Sequence, residues 1–252
     1  MYPKFNLLPM KKLFSFLRLN IIPIAGIFLL VFVFSACKKL DTQPEQPVAG
    51  LMAFNLVPDK VAVGVSISGN IFTNSPLYYT NYTGGYRGVF TGNRNLESYD
   101  YTSGESFATT SHLFKDSTYY SIFVMGASGD YRNVVVEDNL DSLPTTTGES
   151  FVRYVNAIPD STQSPTVIIS SNGTDVFNSA AAFATVSNFK GITPGDIFIK
   201  VSNESTIDAS RIILVEKGKI YTVLLTGVPN STDSTKAVEI KFIENGEIAA
   251  TQ

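Results

Sequence analysis

Two stretches of this chain recur at one fixed offset, and this duplication constrains the fold more than any other feature. The run Leu51–Asp59 is echoed by Phe151–Asp160, and Tyr120–Gly126 is echoed by Tyr221–Gly227. Matched residues in both pairs lie 101 positions apart. Two anchors roughly 65 residues apart with a common offset indicate an internal repeat, so we expect two copies of a domain about 95 residues long.

Each copy has the sequence pattern of β-structure. Val61–Ile67 alternates with a period of two, Tyr119–Met125 is a continuous aromatic and branched run, and Asn172-Gly173 suits a tight hairpin. After position 50 no stretch carries a convincing helical pattern. Short strands separated by turn residues favour a β-sandwich. We therefore predict an all-β protein with two tandem β-sandwich domains.

Changes in composition divide the chain into expected segments. We predict a signal peptide at 1–36, a lipidated cysteine with a flexible tether at 37–48, a first domain at 49–141 and a second domain at 150–252. The stretch 142–149 between the domains is rich in Thr and contains Pro and Gly, as is typical of a linker.

The second copy carries motifs that resemble those of a known family. Its opening strand ends in Asn156–Asp160, a Pro194-Gly195 turn precedes a strand, and Gly218–Gly227 reads Gly-Lys-x-Tyr-Thr-Val and ends in Gly. These motifs resemble the domain-of-unknown-function 4397 (DUF4397) family over nearly all of the chain after the cysteine, as two copies. The resemblance implies immunoglobulin-like β-sandwiches on secreted or lipid-anchored bacterial proteins. It implies no established activity, so no functional residue is transferred from it.

The N-terminal segment resembles the signal peptide of a bacterial lipoprotein. The apolar run Ile21–Phe34 is followed by Ser35-Ala36-Cys37, which ends on the only cysteine of the chain. The basic residues before the run are Lys4, Lys11, Lys12 and Arg18. The resemblance implies a diacylated thiol and cleavage just before it. The alternative is an uncleaved membrane anchor, although about 14 apolar residues fall short of the ~20 needed to span a bilayer.

A lipid on Cys37 implies a membrane partner, and a place in the outer membrane of a Gram-negative bacterium, facing the periplasm or the exterior. Four of the 19 basic residues and none of the 22 acidic ones precede Cys37, so the rest has seven more acidic than basic residues. An acidic chain without basic clusters argues against a nucleic-acid partner. With one His and no second Cys, we expect no zinc or iron site and no cofactor.

Two stretches are weak candidates for site chemistry. His112 lies near Asp116, but a Ser-His-Asp hydrolase needs the His held between a nucleophile and a carboxylate, and no Gly-x-Ser-x-Gly elbow is present. Glu137, Asp138 and Asp141 have the oxygen ligands that Ca²⁺ prefers, although such acidic stretches also form ordinary solvated loops. We predict neither a catalytic residue nor a metal site.

Asp-Ser followed by Thr or Leu occurs four times in predicted loops. The motif resembles an O-glycosylation signal of exported proteins in one large group of Gram-negative bacteria. It marks as candidates Ser117, Ser142, Ser161 and Ser234. The same residues also form ordinary turns, so both interpretations stay open.

Three classes of function are compatible with the sequence. We expect a non-catalytic binding or adhesion module, whose ligand is a polysaccharide or another envelope or matrix protein. A structural or assembly component of an envelope complex is the alternative. A glycan-processing enzyme is the third class, and it would need two convergent carboxylates, which do not stand out in the sequence.

Comparison of the two copies gives a candidate binding face. Shifted by 101 positions, Tyr82 falls on Phe183, which indicates a shared core position. Other tyrosines of the first copy fall on small or polar residues of the second, an exchange that core positions rarely accept. With a neighbouring arginine they form the candidate face: Tyr78, Tyr79, Tyr86, Arg87, Tyr99 and Tyr101. The alternatives are that these rings fill a larger first core or pack against the second domain.

Overall fold

The computed structural model describes residues 46–159 and 163–248. The predicted signal peptide, Cys37, most of the tether and Ser161 lie outside the described residues. Within them, the regular structure consists of β-strands and two 3₁₀ turns, Leu140–Ser142 and Ser234–Lys236. The predicted all-β class is confirmed, whereas the immunoglobulin-like topology stays a prediction. In this part of the chain, no helix has the length and apolar character needed to cross a bilayer.

The first half of the described chain forms two sheets that pack on each other. In chain order its strands are β1 (Val48–Leu56), β2 (Ala62–Ile67), β3 (Asn70–Ile71), β4 (Leu77–Tyr78), β5 (Arg87–Phe90), β6 (Gly92–Asp100), β7 (Ser106–Phe114), β8 (Tyr119–Ala127) and β9 (Asp130–Glu137). Inner sheet 1 has the order β5-β1-β8-β9, and outer sheet 1 has the order β3-β2-β6-β7 with β4 paired to β2. Apolar residues of both sheets, such as Leu51, Val63 and Leu96, form the core of this first sandwich.

The second half repeats the arrangement. Its strands are β10 (Ser150–Asn156), β11 (Thr166–Ser171), β12 (Thr174–Ala180), β13 (Lys190–Ile192), β14 (Gly195–Ser202), β15 (Asp208–Val215), β16 (Lys219–Thr226) and β17 (Glu239–Glu247). Inner sheet 2 has the order β13-β10-β16-β17, and outer sheet 2 has the order β12-β11-β14-β15. Residues such as Val152, Ile199 and Val223 form the core of this second sandwich.

The strand registers repeat at the offset seen in the sequence. β1 runs parallel to β8 with Leu51 opposite Tyr120, and β10 runs parallel to β16 with Val152 opposite Tyr221, each 101 positions later. The motif asparagines also make the same bonds. The side-chain amide of Asn55 donates to the carbonyl of residue 77, and that of Asn156 donates to the carbonyl of residue 181, both at 2.8 Å.

The two inner sheets are buried on both faces, which explains their nearly continuous apolar sequences. Successive side chains of a strand point to opposite faces. Ala53 therefore faces the first core, while its neighbour Phe54 faces the second sandwich. Phe54 and Phe123 of the first sandwich share a buried cluster with Val155 and Leu224 of the second. A third core, the shared core, thus joins the sandwiches.

A buried ion pair also joins the two sandwiches. Nη1 of Arg153 lies 2.5 Å from Oδ1 of Asp138, and the two side chains are 2% and 0% exposed. Arg153 also donates to Oγ of Ser121 and to Oγ1 of Thr222, each at 2.9 Å. The hydroxyls of Tyr86 and Ser121 donate to Oδ2 of Asp138 at 2.6 and 2.7 Å. Both charged groups are therefore hydrogen-bonded, as a buried ion pair requires.

Candidate functional site

Three of the six residues of the candidate binding face lie together on the outward side of outer sheet 1. On β6, Leu96 and Ser98 are fully buried. Because side chains alternate along a strand, Tyr99 points away from the core. Tyr101 lies in the turn that follows β6, where it is exposed and its ring is next to that of Tyr99. Tyr78 on β4 is paired with Ala62 of β2, and the following residue of β2 is paired with Asp100 of β6. Tyr78 therefore lies across β2 from Tyr99 and Tyr101. We call Tyr78, Tyr99 and Tyr101 the tyrosine platform.

The ring of Tyr99 lies flat because the residue beneath it has no side chain. Gly64 on β2 is paired with Tyr99 across the ladder. A Cβ atom added to Gly64 would lie 2.2 Å from Cζ and 2.5 Å from the hydroxyl oxygen of Tyr99. The ring therefore leans across β2 and covers the bare backbone. Glycine within a strand often marks such a close approach.

The other rings extend this surface. Tyr101 lies with its ring centroid 6.4 Å from that of Tyr99, and the two ring planes differ by 17°. Tyr78 is 54% exposed and Tyr101 is 39% exposed. Beside them runs an open groove of about 400 Å³, whose other lining residues are Ile71, Thr73 and Asn74. The platform is thus an accessible aromatic surface with a polar rim.

The platform carries little charge. Asp100, which lies between Tyr99 and Tyr101 in the sequence, points to the opposite face of β6 and pairs with Lys60 at 3.5 Å. Hydrogen bonds from the backbone amides of Thr102 and Ser103, together with Lys60, keep the pKa of Asp100 below its usual value. Glu97 is the acidic residue on the outward side of β6, where it accepts a 3.5 Å bond from the Ser66 hydroxyl.

The other three residues of the candidate face lie elsewhere. Tyr79 turns toward Thr226 and Glu239 of the second sandwich, and burial raises its pKa to about 12. Tyr86 bonds to Asp138 in the ion-pair network, where burial and that carboxylate raise the pKa of its hydroxyl. The structure therefore divides the predicted face. The alternative that tyrosines of the first copy pack against the second domain accounts for Tyr79 and Tyr86.

Arg87 does not join the platform either. It is half-buried, and its guanidinium lies 3.5 and 3.4 Å from the carbonyls of Phe72 and Thr83. Tyr82, expected to share a core position with Phe183, stacks on Phe54 at 5.4 Å. Both Tyr82 and Phe183 border the shared core, so the comparison of copies placed this pair correctly.

His112 and Asp116 have separate contacts. The His112 ring packs edge-on against Phe114 and Tyr120, with centroids 5.1 and 5.0 Å away. Asp116 accepts a 3.0 Å hydrogen bond from the backbone amide of Val48. Burial lowers the pKa of His112, which favours its neutral form. His112 is thus an aromatic ring packed against its neighbours, and Asp116 caps the start of β1.

The acidic stretch after β9 does not converge on one point. Asp138 turns inward to Arg153, whereas Glu137 forms a 2.8 Å ion pair with Lys115. Asp141 lies in an exposed 3₁₀ turn. Among residues 46–159 and 163–248 no group of three metal-binding side chains comes together.

The predicted O-glycosylation serines that the structure describes, Ser117, Ser142 and Ser234, are exposed and lie in turns.

Residues 49–163 match the family model described as Domain of unknown function (DUF4397). This stretch is therefore similar to a DUF4397 domain. The match confirms the resemblance for the first sandwich together with the opening strand of the second. The match does not extend over most of the second copy, whose motifs carried the resemblance in the sequence. The tyrosine platform lies within the matched stretch.

Similarity to other proteins is distant. No curated protein matches the chain. A crystal structure titled "putative cell adhesion protein" from Bacteroides eggerthii DSM 20697 has 9% identity and a TM-score of 0.25, covering 81% of this chain and 96% of that chain. A second with the same description, from Bacteroides ovatus ATCC 8483, has 8% identity and a TM-score of 0.25, covering 81% and 99%. At this TM-score we draw no functional conclusion from either protein.

The sequence did not predict two residues that are important to the tyrosine platform. Gly64 forms its floor, and Asn74 provides an exposed amide on its rim. A signal for Gly64 existed, since a glycine inside an alternating valine run marks close approach of another group. No local pattern distinguishes Asn74 from an ordinary turn residue.

Proposed function

We propose that this chain is a lipid-anchored, non-catalytic binding module of the bacterial cell envelope, which contacts its ligand through the tyrosine platform. The observation that carries the proposal is the gathering of Tyr78, Tyr99 and Tyr101 on one accessible surface of the first sandwich. Tyrosine suits contact surfaces because its ring offers a large, rigid area at low entropic cost and its hydroxyl adds a hydrogen bond.

The anchor follows from the N-terminal sequence. A basic region, an apolar run and Ser35-Ala36-Cys37 support lipidation of Cys37, with the outer membrane as the location. Each acyl chain contributes about 0.8 kcal/mol per buried methylene, and more than one chain holds a protein stably on a membrane. The polar residues 38–45 serve as a tether between the lipid and β1.

Binding is tested with the full chain in a solid-phase screen against polysaccharides and matrix proteins. The triple variant Tyr78→Ala, Tyr99→Ala and Tyr101→Ala should lose binding to whatever ligand is found. Its rings lie on the outward side of a sheet, so its thermal unfolding should stay close to that of the parent. The matched control is Phe198→Ala, which removes an exposed ring from the second sandwich. Full binding by the triple variant would rule out the platform.

The anchor is tested separately by cell fractionation of a Cys37→Ala variant. The unmodified chain should move from the membrane to the soluble fraction, since the lipid is its attachment. Equal retention of parent and variant on the membrane contradicts lipid anchoring and favours the uncleaved anchor.

One observation favours the alternative of a structural component in an envelope complex. The outward side of outer sheet 2 exposes a group of large apolar side chains, Phe198, Ile212 and Leu214. Phe198 is paired with Ile212 across β14 and β15. Exposed apolar groups of this kind often mark protein contacts. If Phe198→Ala, rather than the triple tyrosine variant, abolishes co-purification with other envelope proteins, this second function replaces the first.

A further inference from the structure

We infer that the ligand of the tyrosine platform is a neutral glycan, a chain of pyranose sugars that lies across Tyr99 and Tyr101. The inference rests on the proposed function, because it names the ligand class of the same site. It depends on three features: the orientation of the rings, the polar groups around them and the local charge.

The rings offer flat faces rather than edges. One face of Tyr99 is packed on the backbone of Gly64, so the opposite face is turned to solvent. The ring plane of Tyr101 is tilted by 17° from that of Tyr99 and its centroid is 6.4 Å away, so the two ring faces are nearly parallel. The face of an aromatic ring carries the negative part of its quadrupole. The C–H groups on the flat side of a pyranose are polarised positively by the neighbouring oxygens, so they complement such a face.

The geometry fits a sugar better than a protein side chain. Anchor residues of protein interfaces cluster in well-packed pockets that exclude water. The platform has instead an open groove of about 400 Å³ along its side. A groove of this kind leaves room for sugar rings beside the tyrosines.

The rim supplies the hydrogen bonds that sugar hydroxyls require. Asn74 is exposed at the groove, and its amide has both donors and an acceptor. Ser66 and Thr109 place hydroxyls on the same outward side as Glu97, the residue with which both are paired across the sheet. A few polar groups around an apolar surface are the usual composition of a ligand site.

The charge around the platform favours a neutral glycan over an acidic one. Glu97 faces outward beside Tyr99, whereas Asp100 points to the other face of β6, where it pairs with Lys60. The chain after Cys37 is acidic overall. An acidic polysaccharide would therefore meet repulsion near the site.

The second sandwich serves as an internal comparison. Lys200 stands where the first copy has Tyr99, and it is paired with Ile168 instead of a glycine. An aromatic ring could not lie flat there, because the side chain of Ile168 occupies the space. The structure therefore confines the platform to the first sandwich.

The test measures affinity of the full chain by calorimetry for neutral β-linked hexasaccharides of glucose and of N-acetylglucosamine. Oligogalacturonate serves as the acidic comparison. Tyr99→Ala should weaken binding of the neutral probe about tenfold or more, a typical loss for a central aromatic contact. Tyr99→Phe keeps the ring face and should lose less than about threefold. Oligogalacturonate should bind more weakly than either neutral probe.

Gly64→Ala gives the sharpest result, because it displaces the ring without removing any contact group. The added methyl group would overlap the far end of the Tyr99 ring, which can swing into solvent. Binding should fall about tenfold, as in Tyr99→Ala. In the Tyr99→Ala background the same change should have no further effect, since the displaced ring is gone. The control is Gly88→Ala, a strand glycine with open space around its Cβ position.

The outcomes separate this inference from the proposed function. Absence of binding to either neutral probe at millimolar concentration overturns the glycan inference, as does neutral-glycan binding that Tyr99→Ala and Gly64→Ala leave unchanged. If the platform variants abolish binding to a matrix protein while no glycan binds, the proposed function stands and the glycan inference fails. If the triple tyrosine variant retains every binding activity, both fail.

Discussion

Removal of the Asp138 carboxylate should destabilise the whole chain strongly. Asp138→Ala leaves the guanidinium of Arg153 buried between the sandwiches without its counterion. The hydroxyl of Tyr86 loses its acceptor as well. A buried charge without a partner is among the most costly defects in a folded protein.

The structure sets the size of this effect. Breaking a buried ion pair costs about 3–5 kcal/mol, and the lost tyrosine bond adds about 1 kcal/mol. Arg153 keeps its bonds to Ser121 and Thr222. A cavity of about 280 Å³ borders both Arg153 and Asp138, so water can reach the freed guanidinium. These two features place the expected loss near the lower limit of this sum, at about 4 kcal/mol, which corresponds to roughly 8–16 °C in melting temperature.

The assay is urea unfolding of parent and variants, with fluorescence and circular dichroism followed together. The matched control is Asp130→Ala, which removes the acid from an Arg-Asp pair at the surface. That pair joins Arg132 and Asp130 at 3.0 Å, with side chains 45% and 75% exposed. Its loss should cost less than about 1 kcal/mol.

A double-mutant cycle refines the result. Once Asp138→Ala is in place, Arg153→Ala should cost far less than it does alone, because the unpaired charge is removed. A loss below about 1 kcal/mol for Asp138→Ala, equal to that of the surface control, would refute the reasoning, since the pair would then be no better shielded than a surface pair.

Three further predictions concern other parts of the molecule. Burial lowers the pKa of His112, so the unfolded chain binds a proton first as the pH falls below about 6.5, and stability is lost there. Glu137 raises and Lys115 lowers the same pKa, both less than burial does. His112→Phe should reduce the drop in melting temperature between roughly pH 7 and pH 5, and an equal drop in both proteins would contradict this. Gly126→Ala should cost more than about 2 kcal/mol in urea unfolding, because its φ is +125° and a Cβ would lie 2.0 Å from a backbone carbonyl oxygen, whereas Gly88→Ala should be nearly neutral. If the exposed Asp-Ser turns are O-glycosylated, intact-mass analysis of the exported protein should show a glycan mass that decreases by one unit in Ser234→Ala, and a mass equal to the bare sequence would exclude the modification.

The sequence predicted the central strands well because residues on both of their faces are buried and are therefore mostly apolar. β1, β8, β10 and β16 are apolar on both faces, so they appear as continuous runs, and their repeat at 101 positions identified the duplication. The strands that the sequence pattern does not predict lie at or near the edges of the sheets. β7 exposes every second residue and carries Ser and Thr there, so its alternation is weak. β5 has only four residues, one of them glycine.

The candidate face was predicted only in part, for a physical reason. Comparison of the copies identifies tyrosines that leave their own core. It does not distinguish those that face solvent, such as Tyr101, from those that face the other sandwich, such as Tyr86. Contacts between two copies of a domain depend on which sheet faces the partner, and neither copy encodes that in its strand pattern. Gly64 shows the converse, because its role appears only when its cross-strand neighbour is known.

The shared core is formed by equivalent surfaces of the two sandwiches. Many of its members occur as counterparts 101 positions apart: Phe54 and Val155, Leu56 and Ala157, and Phe123 and Leu224. Equivalent patches that meet each other define the isologous interface of a two-fold dimer. The two sandwiches thus bury equivalent patches against each other, as the halves of a homodimer do. The repeat is not exact, because the counterpart of Arg153 is the apolar Met52, so the buried ion pair has no equivalent at that position.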